Sequence, residues 1–171
     1  MIENIFATLR PSLRSFRHGS AALVLLAMAM AIAPCAHVFA AGGETDARAF
    51  FVKFVAAQNA HDVSGVKAML WNSPDTLMYG RGVETRGRDA VADHFREYYE
   101  GTWHLEPDMS QFRATAISND VTQILVPIVF TRGLPGEPSR DNTFLISQTL
   151  VHDADGWHIA AILPIANTRI K

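Results

Sequence analysis

Cysteine is almost absent from the sequence, since Cys35 is the only one in 171 residues. It lies within residues 1–40, which we interpret below as a cleaved leader. The mature chain is therefore expected to have neither a disulfide nor a thiolate, which excludes cysteine nucleophiles and cysteine-based metal sites. A lipoprotein anchor at Cys35 is disfavoured, because Pro34 stands where that motif has Gly, Ala or Ser.

A basic surface is missing as well. The first 40 residues hold three of the 15 basic and one of the 17 acidic residues, so the remainder carries a formal charge of −4. Such a domain lacks the stripe of Lys and Arg that neutralises nucleic-acid phosphates. The sequence therefore predicts no nucleic-acid partner.

The longest uncharged apolar run, residues 21–33, follows three arginines at positions 10, 14 and 17. This order is typical of a secretory signal. A helix of this length rises only about 20 Å, against roughly 30 Å for the hydrocarbon core of a bilayer. Val38-Phe39-Ala40 then offers a processing site, and we expect cleavage after Ala40 to give a periplasmic or secreted protein without stable membrane insertion. An uncleaved anchor is the alternative.

The remaining chain has the length of one domain, with residues 41–45 as a flexible leader and residues 46–171 as the folded part. Three helices are predicted. Apolar residues of the first recur on one stripe, at Ala47, Phe50, Phe51, Phe54 and Val55. The second begins after Asp62, a natural N-cap, and the third begins near Arg88 and directs Val91, Phe95 and Tyr98 inward.

Strand-like alternation dominates from Trp103 onward. The candidate strands are residues 76–79, 103–106, 110–118, 121–132, 143–152 and 157–165. Pro127 predicts that its strand lies at the edge of the sheet or contains a bulge, because proline has no N–H to donate to a neighbouring strand. Residues 152–157 are interpreted as a hairpin turn rather than a calcium loop. Helices followed by a long antiparallel sheet predict an α+β domain shaped as a cone with an open mouth.

Four segments also carry a resemblance to a known family. They are Phe51-x-x-Phe54-x-x-Ala57-x-Asn59-x-x-Asp62, Tyr79-Gly-Arg-Gly-Val-Glu-Thr-Arg-Gly87-Arg-Asp-Ala-Val91, Asp155-Gly-Trp157-His-Ile-Ala-Ala161 and Ala166-Asn-Thr-Arg169. In order and spacing they resemble the nuclear transport factor 2-like superfamily over residues 45–171, and most closely its SnoaL-like and SgcJ/EcaC-type small proteins. The resemblance implies a cone of three N-terminal helices packed on a strongly curved, mainly antiparallel sheet. It also implies an internal pocket and a homodimer formed through the sheet.

The catalytic residues of this superfamily's steroid isomerases are not matched. Met78 or Tyr79 occupies the position where those enzymes have an Asp base, and Phe50, Phe51 and Phe54 stand where a Tyr hydroxyl is needed. The residue sets of the epoxide hydrolases and dehydratases are absent too. No pair of histidines has the spacing of a helical zinc site, and we predict neither a metal nor a cofactor.

The candidate site therefore depends on side chains that could line the cone. His94 and Tyr98 are one helical turn apart and form a candidate acid–base pair. Gln148 interrupts an apolar alternation and needs a hydrogen-bonding partner, which a ligand or the backbone could supply. The predicted ligand-binding residues are Tyr79, Trp103, Gln148 and Asn167. For each of these residues a purely structural role is the alternative.

Two classes of function remain. The first is an exported domain that binds a small apolar molecule in the cone without an identifiable catalytic set, and we favour it. The second is a cofactor-independent lyase, isomerase or cyclase that acts on a small apolar carbonyl compound through His94 and Tyr98.

Overall fold

A computed structural model describes residues 41–80 and 82–166. The predicted leader, its processing site and Asn167 lie outside these residues. Within them, the helices are α1 (Ala41–Asn59), α2 (Val63–Met69), α3 (Arg88–Tyr98) and a 3-10 turn (Met109–Gln111), and the strands are β1 (Leu77–Gly80), β2 (Val83–Arg86), β3 (Thr102–Pro107), β4 (Arg113–Ser118), β5 (Val121–Gly133), β6 (Arg140–Asp153) and β7 (Gly156–Ala166). No helix in this part of the chain is long and apolar enough to cross a membrane.

The strands form one sheet in the order β2-β1-β7-β6-β5-β3. Neighbouring strands are antiparallel except β1 and β7, which are parallel. On the side of β5 that faces away from β6, strand β4 pairs with the first part of β5 and strand β3 pairs with its last part. The predicted α+β fold, three helices packed on a mainly antiparallel sheet, is confirmed.

The core lies between the helices and one face of the sheet. Alternate residues of β5 are buried there, from Ile124 to Phe130. Phe51 and Phe54 of α1 and Phe95 of α3 cover them from the other side. Burying each such side chain contributes roughly 1.5–3 kcal/mol to the stability of the fold. The alternating apolar residues of the strands and the apolar stripes of the helices thus form one core.

The turn between α1 and α2 shows how local chemistry sets the helix boundaries. Asp62 caps α2, and its carboxylate accepts a hydrogen bond from the Gly65 N–H at 2.9 Å. That bond and the Ser64 hydroxyl hold the pKa of Asp62 below its ordinary value. His61 precedes the cap with φ at 54°, in the left-handed region that ends α1. The predicted N-cap is therefore confirmed.

Two predictions about local structure are wrong, and one strand is missing from the predictions. The supposed leader, residues 41–45, is helical, because α1 begins at Ala41 and Glu44 in its first turn complements the helix dipole. Strand β2 was not predicted, since it is short and mostly exposed and depends on pairing with β1. Pro127 lies in a central strand, at the gap where the partner of β5 changes from β4 at Leu125 to β3 at Ile128. Its missing N–H is tolerated because no ladder partner faces it on that side.

Candidate functional site

A cavity of about 300 Å³ lies between α1, α3 and the concave face of the sheet. At roughly 30 Å³ per water molecule, it has room for about ten water-sized atoms. Most of its wall is apolar, including Phe51, Phe54, Met78, Ile128, Ile146 and Ile162. Small-molecule sites usually have this composition, an apolar wall with a few polar groups.

Two glutamines interrupt the apolar wall. Gln58 comes from the last turn of α1 and is 5 % exposed, and Gln148 comes from the middle of β6 and is 2 % exposed. Gln148 shares its parity with Phe144 and Ile146, so the pleat of β6 directs all three toward the helices. Neither side-chain amide donates or accepts a hydrogen bond within the described residues.

The Oε1 atom of Gln148 is fully buried and has no hydrogen-bond partner in residues 41–80 and 82–166. An unsatisfied buried polar group costs about 1–3 kcal/mol, so this amide lowers the stability of the protein unless a molecule in the cavity, water or ligand, hydrogen-bonds it. Rotation about the terminal torsion exchanges the oxygen and the nitrogen of a glutamine amide. Gln148 can therefore meet either a carbonyl or an N–H or O–H group of a molecule in the cavity.

Aromatic rings form a row along one side of the cavity. Tyr98 and Trp103 stack with ring centroids 4.6 Å apart and planes 9° apart. Phe130 meets Trp103 edge-on at 5.4 Å, and Phe144 meets Phe130 edge-on at 5.1 Å. All four residues line the cavity, so the row offers ring faces and edges to a flat ligand.

His94 reaches the cavity only through Tyr98. Its Nε2 lies 2.7 Å from the Tyr98 hydroxyl, and its Nδ1 lies 3.5 Å from Oε2 of Glu97. The side chain of Glu97 is 72 % exposed and that of His94 is 23 % exposed, whereas Tyr98 lines the cavity. The three side chains thus connect solvent to the cavity wall.

The contacts of two other histidines are structural. His61 stacks on Tyr99 with centroids 4.8 Å apart, and its Nε2 lies 3.0 Å from the Trp103 carbonyl oxygen. Burial raises the pKa of Tyr99 well above its ordinary value. His158 approaches Asp153 at 3.3 Å, at the hairpin between β6 and β7. No group of three or more His, Cys, Asp and Glu side chains suited to a metal ion occurs in the described residues.

The mouth of the cavity combines an aromatic ring and a cation. Tyr79 of β1 lines it and is 45 % exposed. Arg132 of β5 also lines it, with its guanidinium 5.3 Å from the centroid of the Phe144 ring. A guanidinium held over a ring face retains N–H donors in the ring plane for other groups.

Four of the predicted site residues lie together in the cavity wall, namely Tyr79, Tyr98, Trp103 and Gln148. His94 does not line the cavity, because the helix directs its ring toward Tyr98 and Glu97. Asn167 lies outside the described residues. Gln58 and Arg132 were missed, although each stands on an otherwise apolar face, four residues after Phe54 and two after Phe130 respectively.

Comparison with known families agrees with this architecture. The sequence model of the AtzH-like family matches residues 43–165, most of the described chain. No curated protein matches the sequence. The family match differs at the finer level from the SnoaL-like and SgcJ/EcaC resemblance drawn from the sequence.

Solved structures share the fold at low sequence identity. A nuclear transport factor 2-like superfamily protein from Salmonella enterica has a TM-score of 0.66 and 13% identity, covering 75% of this chain and 93% of its own. A proposed dehydratase of the NTF2-like family from Streptomyces avermitilis has a TM-score of 0.64 and 11% identity, covering 75% and 99%. An uncharacterised protein with a cystatin-like fold from Caulobacter vibrioides has a TM-score of 0.64 and 16% identity, covering 74% and 92%. At these identities the likeness concerns the fold alone.

Proposed function

The protein belongs to the AtzH-like family, and from the two buried amides of its cavity we propose that it binds a small, mainly apolar molecule that carries a hydrogen-bonding group. Binding takes place inside the cone and requires no cofactor. We propose further that the leader directs the domain out of the cytoplasm, so that it meets its ligand in the periplasm or outside the cell. We also propose that the domain is of the SnoaL-like type.

The observation that carries the proposal is the buried, unpartnered amide of Gln148. A leucine of similar size at this position would complete the apolar face of β6 without an unsatisfied group. The protein therefore retains a polar side chain that is stabilising only when a molecule in the cavity hydrogen-bonds it. A bound molecule that hydrogen-bonds the amide would recover this loss, which is the usual relation between a binding site and stability.

The test measures stability and binding on the same variants. In the absence of ligand, Gln148→Leu should raise the free energy of unfolding by up to about 2 kcal/mol, because the unsatisfied amide is removed. Titration with phenylacetamide, followed by NMR, should shift the side-chain amide resonances of Gln58 and Gln148 in the wild type. The same variant should weaken this binding.

Gln123→Leu is the matched control. Gln123 lies on β5 with the opposite parity, and its amide donates to the Ser147 hydroxyl at 3.1 Å. Its replacement should lower the free energy of unfolding by about 1 kcal/mol and leave phenylacetamide binding unchanged. If Gln148→Leu destabilises the protein as Gln123→Leu does and phenylacetamide shifts neither cavity amide, the amide is structural and the proposal fails.

An acid–base enzyme is the second candidate. The contact between His94 and Tyr98 favours it, because an imidazole within 2.7 Å of a cavity-lining hydroxyl can receive or return its proton. The substrate would be a small apolar carbonyl compound. Tyr98 would touch the substrate, and His94 would act through Tyr98.

A further inference from the structure

Two arginines lie side by side across the ladder between β5 and β6 at the mouth of the cavity. Arg132 and Arg140 are register partners in this antiparallel pair. Directly opposed residues project from the same face of a sheet, with Cβ atoms about 5 Å apart. Arg140 has the parity of Phe144 and Gln148 on β6, so both arginines belong to the face that bounds the cavity.

The adjacent pair confirms which face is which. Thr131 and Asp141 are also register partners, and the Thr131 hydroxyl donates to the Asp141 carboxylate at 2.7 Å. Their side chains therefore occupy the opposite face of the sheet. The nearest acid in this register lies on the other face of the sheet from Arg140, and Arg140 forms no ion pair with any described residue.

Like charges directly opposite each other destabilise a sheet. Arg132 is moreover the only charged side chain among the described residues that line the cavity. A guanidinium at an apolar wall attracts an anion more strongly there than in bulk water, because the local dielectric is lower. Its fork of N–H donors fits the two oxygens of a carboxylate, in addition to any contact that Arg132 makes within the protein.

The aromatic row begins at the same place. Trp103 is the register partner of Arg132 on the other side, in β3, and Phe144 lies under the guanidinium. A molecule whose anionic group meets Arg132 would therefore place the atoms next to that group among ring faces and edges. The volume of the cavity gives this body room for about ten non-hydrogen atoms if each occupies a water-sized volume.

We propose that the ligand is a small organic acid, with its carboxylate held by Arg132 beside Arg140 at the mouth and its aromatic or otherwise flat apolar body against the row formed by Trp103, Phe130 and Phe144. This inference depends on the proposed function, because it assigns a chemical class to the molecule in the same cavity. It adds an ionic group to the hydrogen-bonding group that Gln58 and Gln148 require.

The test compares two molecules of the same shape. Phenylacetate and phenylacetamide each have about ten non-hydrogen atoms and differ in charge, and both are titrated calorimetrically into the protein as recovered from a host that expresses the full chain. At neutral pH and low salt we expect phenylacetate to bind at least about tenfold more tightly. Added salt should reduce this ratio, because the mouth is open to solvent.

Three substitutions locate the effect. Arg132→Met keeps an unbranched side chain over Phe144 and should bring the ratio of the two affinities close to one, mainly by weakening phenylacetate. Arg140→Met should reduce the ratio by a smaller factor. Arg113→Met removes an exposed arginine of β4 whose register partner is Leu125, on the other face, and should leave the ratio unchanged.

The outcomes separate this inference from the proposed function. If wild-type protein binds both compounds equally, the anionic class is wrong while a neutral ligand remains. If the preference for phenylacetate persists in Arg132→Met, the assigned residue is wrong and the inference fails. If neither compound binds, the inference also fails, and the opposite stability effects expected for Gln148→Leu and Gln123→Leu then decide the proposed function independently.

Discussion

The Tyr98 hydroxyl lies 2.7 Å from Nε2 of His94, and this contact joins the cavity wall to a side chain outside the cavity. Glu97 on the far side of the imidazole favours a proton on Nδ1, which leaves Nε2 as the acceptor for the hydroxyl. A C–H proton of a bound ketone could then move to the Tyr98 oxygen as the hydroxyl proton moves to His94, with the C–H electron pair forming an enolate.

The relay predicts an activity that needs no known substrate. In deuterated buffer, the protein should accelerate exchange of the methylene protons of phenylacetone, as measured by NMR. Tyr98→Phe and His94→Gln should each reduce the acceleration on the order of 100-fold or more, the usual contribution of a general acid or base. Tyr99→Phe is the control, since the Tyr99 hydroxyl is buried without a partner in the described chain and does not line the cavity. Exchange at the uncatalysed rate would rule out the enzyme and leave binding.

Gly101 allows a test of how β3 is held against β5 beside the mouth. A Cβ atom on Gly101 would lie 2.1 Å from the Gly133 carbonyl oxygen, a backbone atom that cannot move without shifting the strand. Gly101→Ala should therefore lower the free energy of unfolding by about 1–3 kcal/mol in urea denaturation. Gly43→Ala, where nothing lies within 4 Å of the new Cβ, should instead stabilise α1 by up to about 1 kcal/mol. Equal effects of the two changes would contradict the packing argument.

Asp62 predicts a dependence of stability on pH. Hydrogen bonds from the Gly65 N–H and the Ser64 hydroxyl lower its pKa from the ordinary 3.8, so the folded state favours the carboxylate. The cap then stabilises fully above pH 3.8 and loses this contribution as the pH falls through the lowered folded-state pKa. Melting curves should show Asp62→Ala less stable than the wild type at pH 7, with a smaller difference at about pH 2. Ser64→Ala should remove only part of the stabilisation that Asp62 provides at pH 7. A stability difference between Asp62→Ala and the wild type that does not change with pH would contradict this role of Asp62.

Local chemistry explains which elements could be predicted from the sequence. Asp62 marks the start of α2 because its side chain bonds its own helix. The inward residues of β5 alternate because a strand has period two. Strand β2 has no such signal, since Val83 is exposed and the strand exists only because β1 pairs with it.

The site was predicted in part for the same reason. Gln148 is recognisable as one polar residue in an apolar alternation. Gln58 has the same signal in helical spacing, but a single amide in the last turn of α1 equally fits a solvent-facing position. The pairing of Arg132 with Arg140 depends on the register set across the loop between β5 and β6, and a shift of one residue would turn one arginine to the other face. The spacing of residues within one strand does not determine the register between two strands joined by a loop.

The proposed export predicts a specific N-terminus. If Val38-Phe39-Ala40 is the processing site, the intact mass of the periplasmic protein should correspond to a chain that begins at Ala41. Full-length protein in the membrane fraction would instead support an uncleaved anchor. Ala40→Pro should block processing and retain the full-length mass, whereas Thr45→Pro, beyond the site, should leave cleavage unchanged.

The convex face of the sheet predicts a dimer. Its central strands carry half-buried apolar residues whose side chains point away from the cavity, namely Leu125, Pro127 and Val129 of β5 and Leu145 of β6. On the neighbouring strand β7, Ile165 is 48 % exposed. Sheet faces with apolar residues on both sides normally need a second covering surface, and a twofold pair of sheets supplies it at about 800 Å² per partner. Sedimentation at micromolar concentration should therefore give twice the mass of the chain. Val129→Asp should yield a folded monomer, because each copy would bury a carboxylate in the interface, whereas Val83→Asp, exposed on β2 at the sheet edge, should leave the dimer intact. A wild-type monomer over this concentration range would contradict the assembly and leave the cavity as it is.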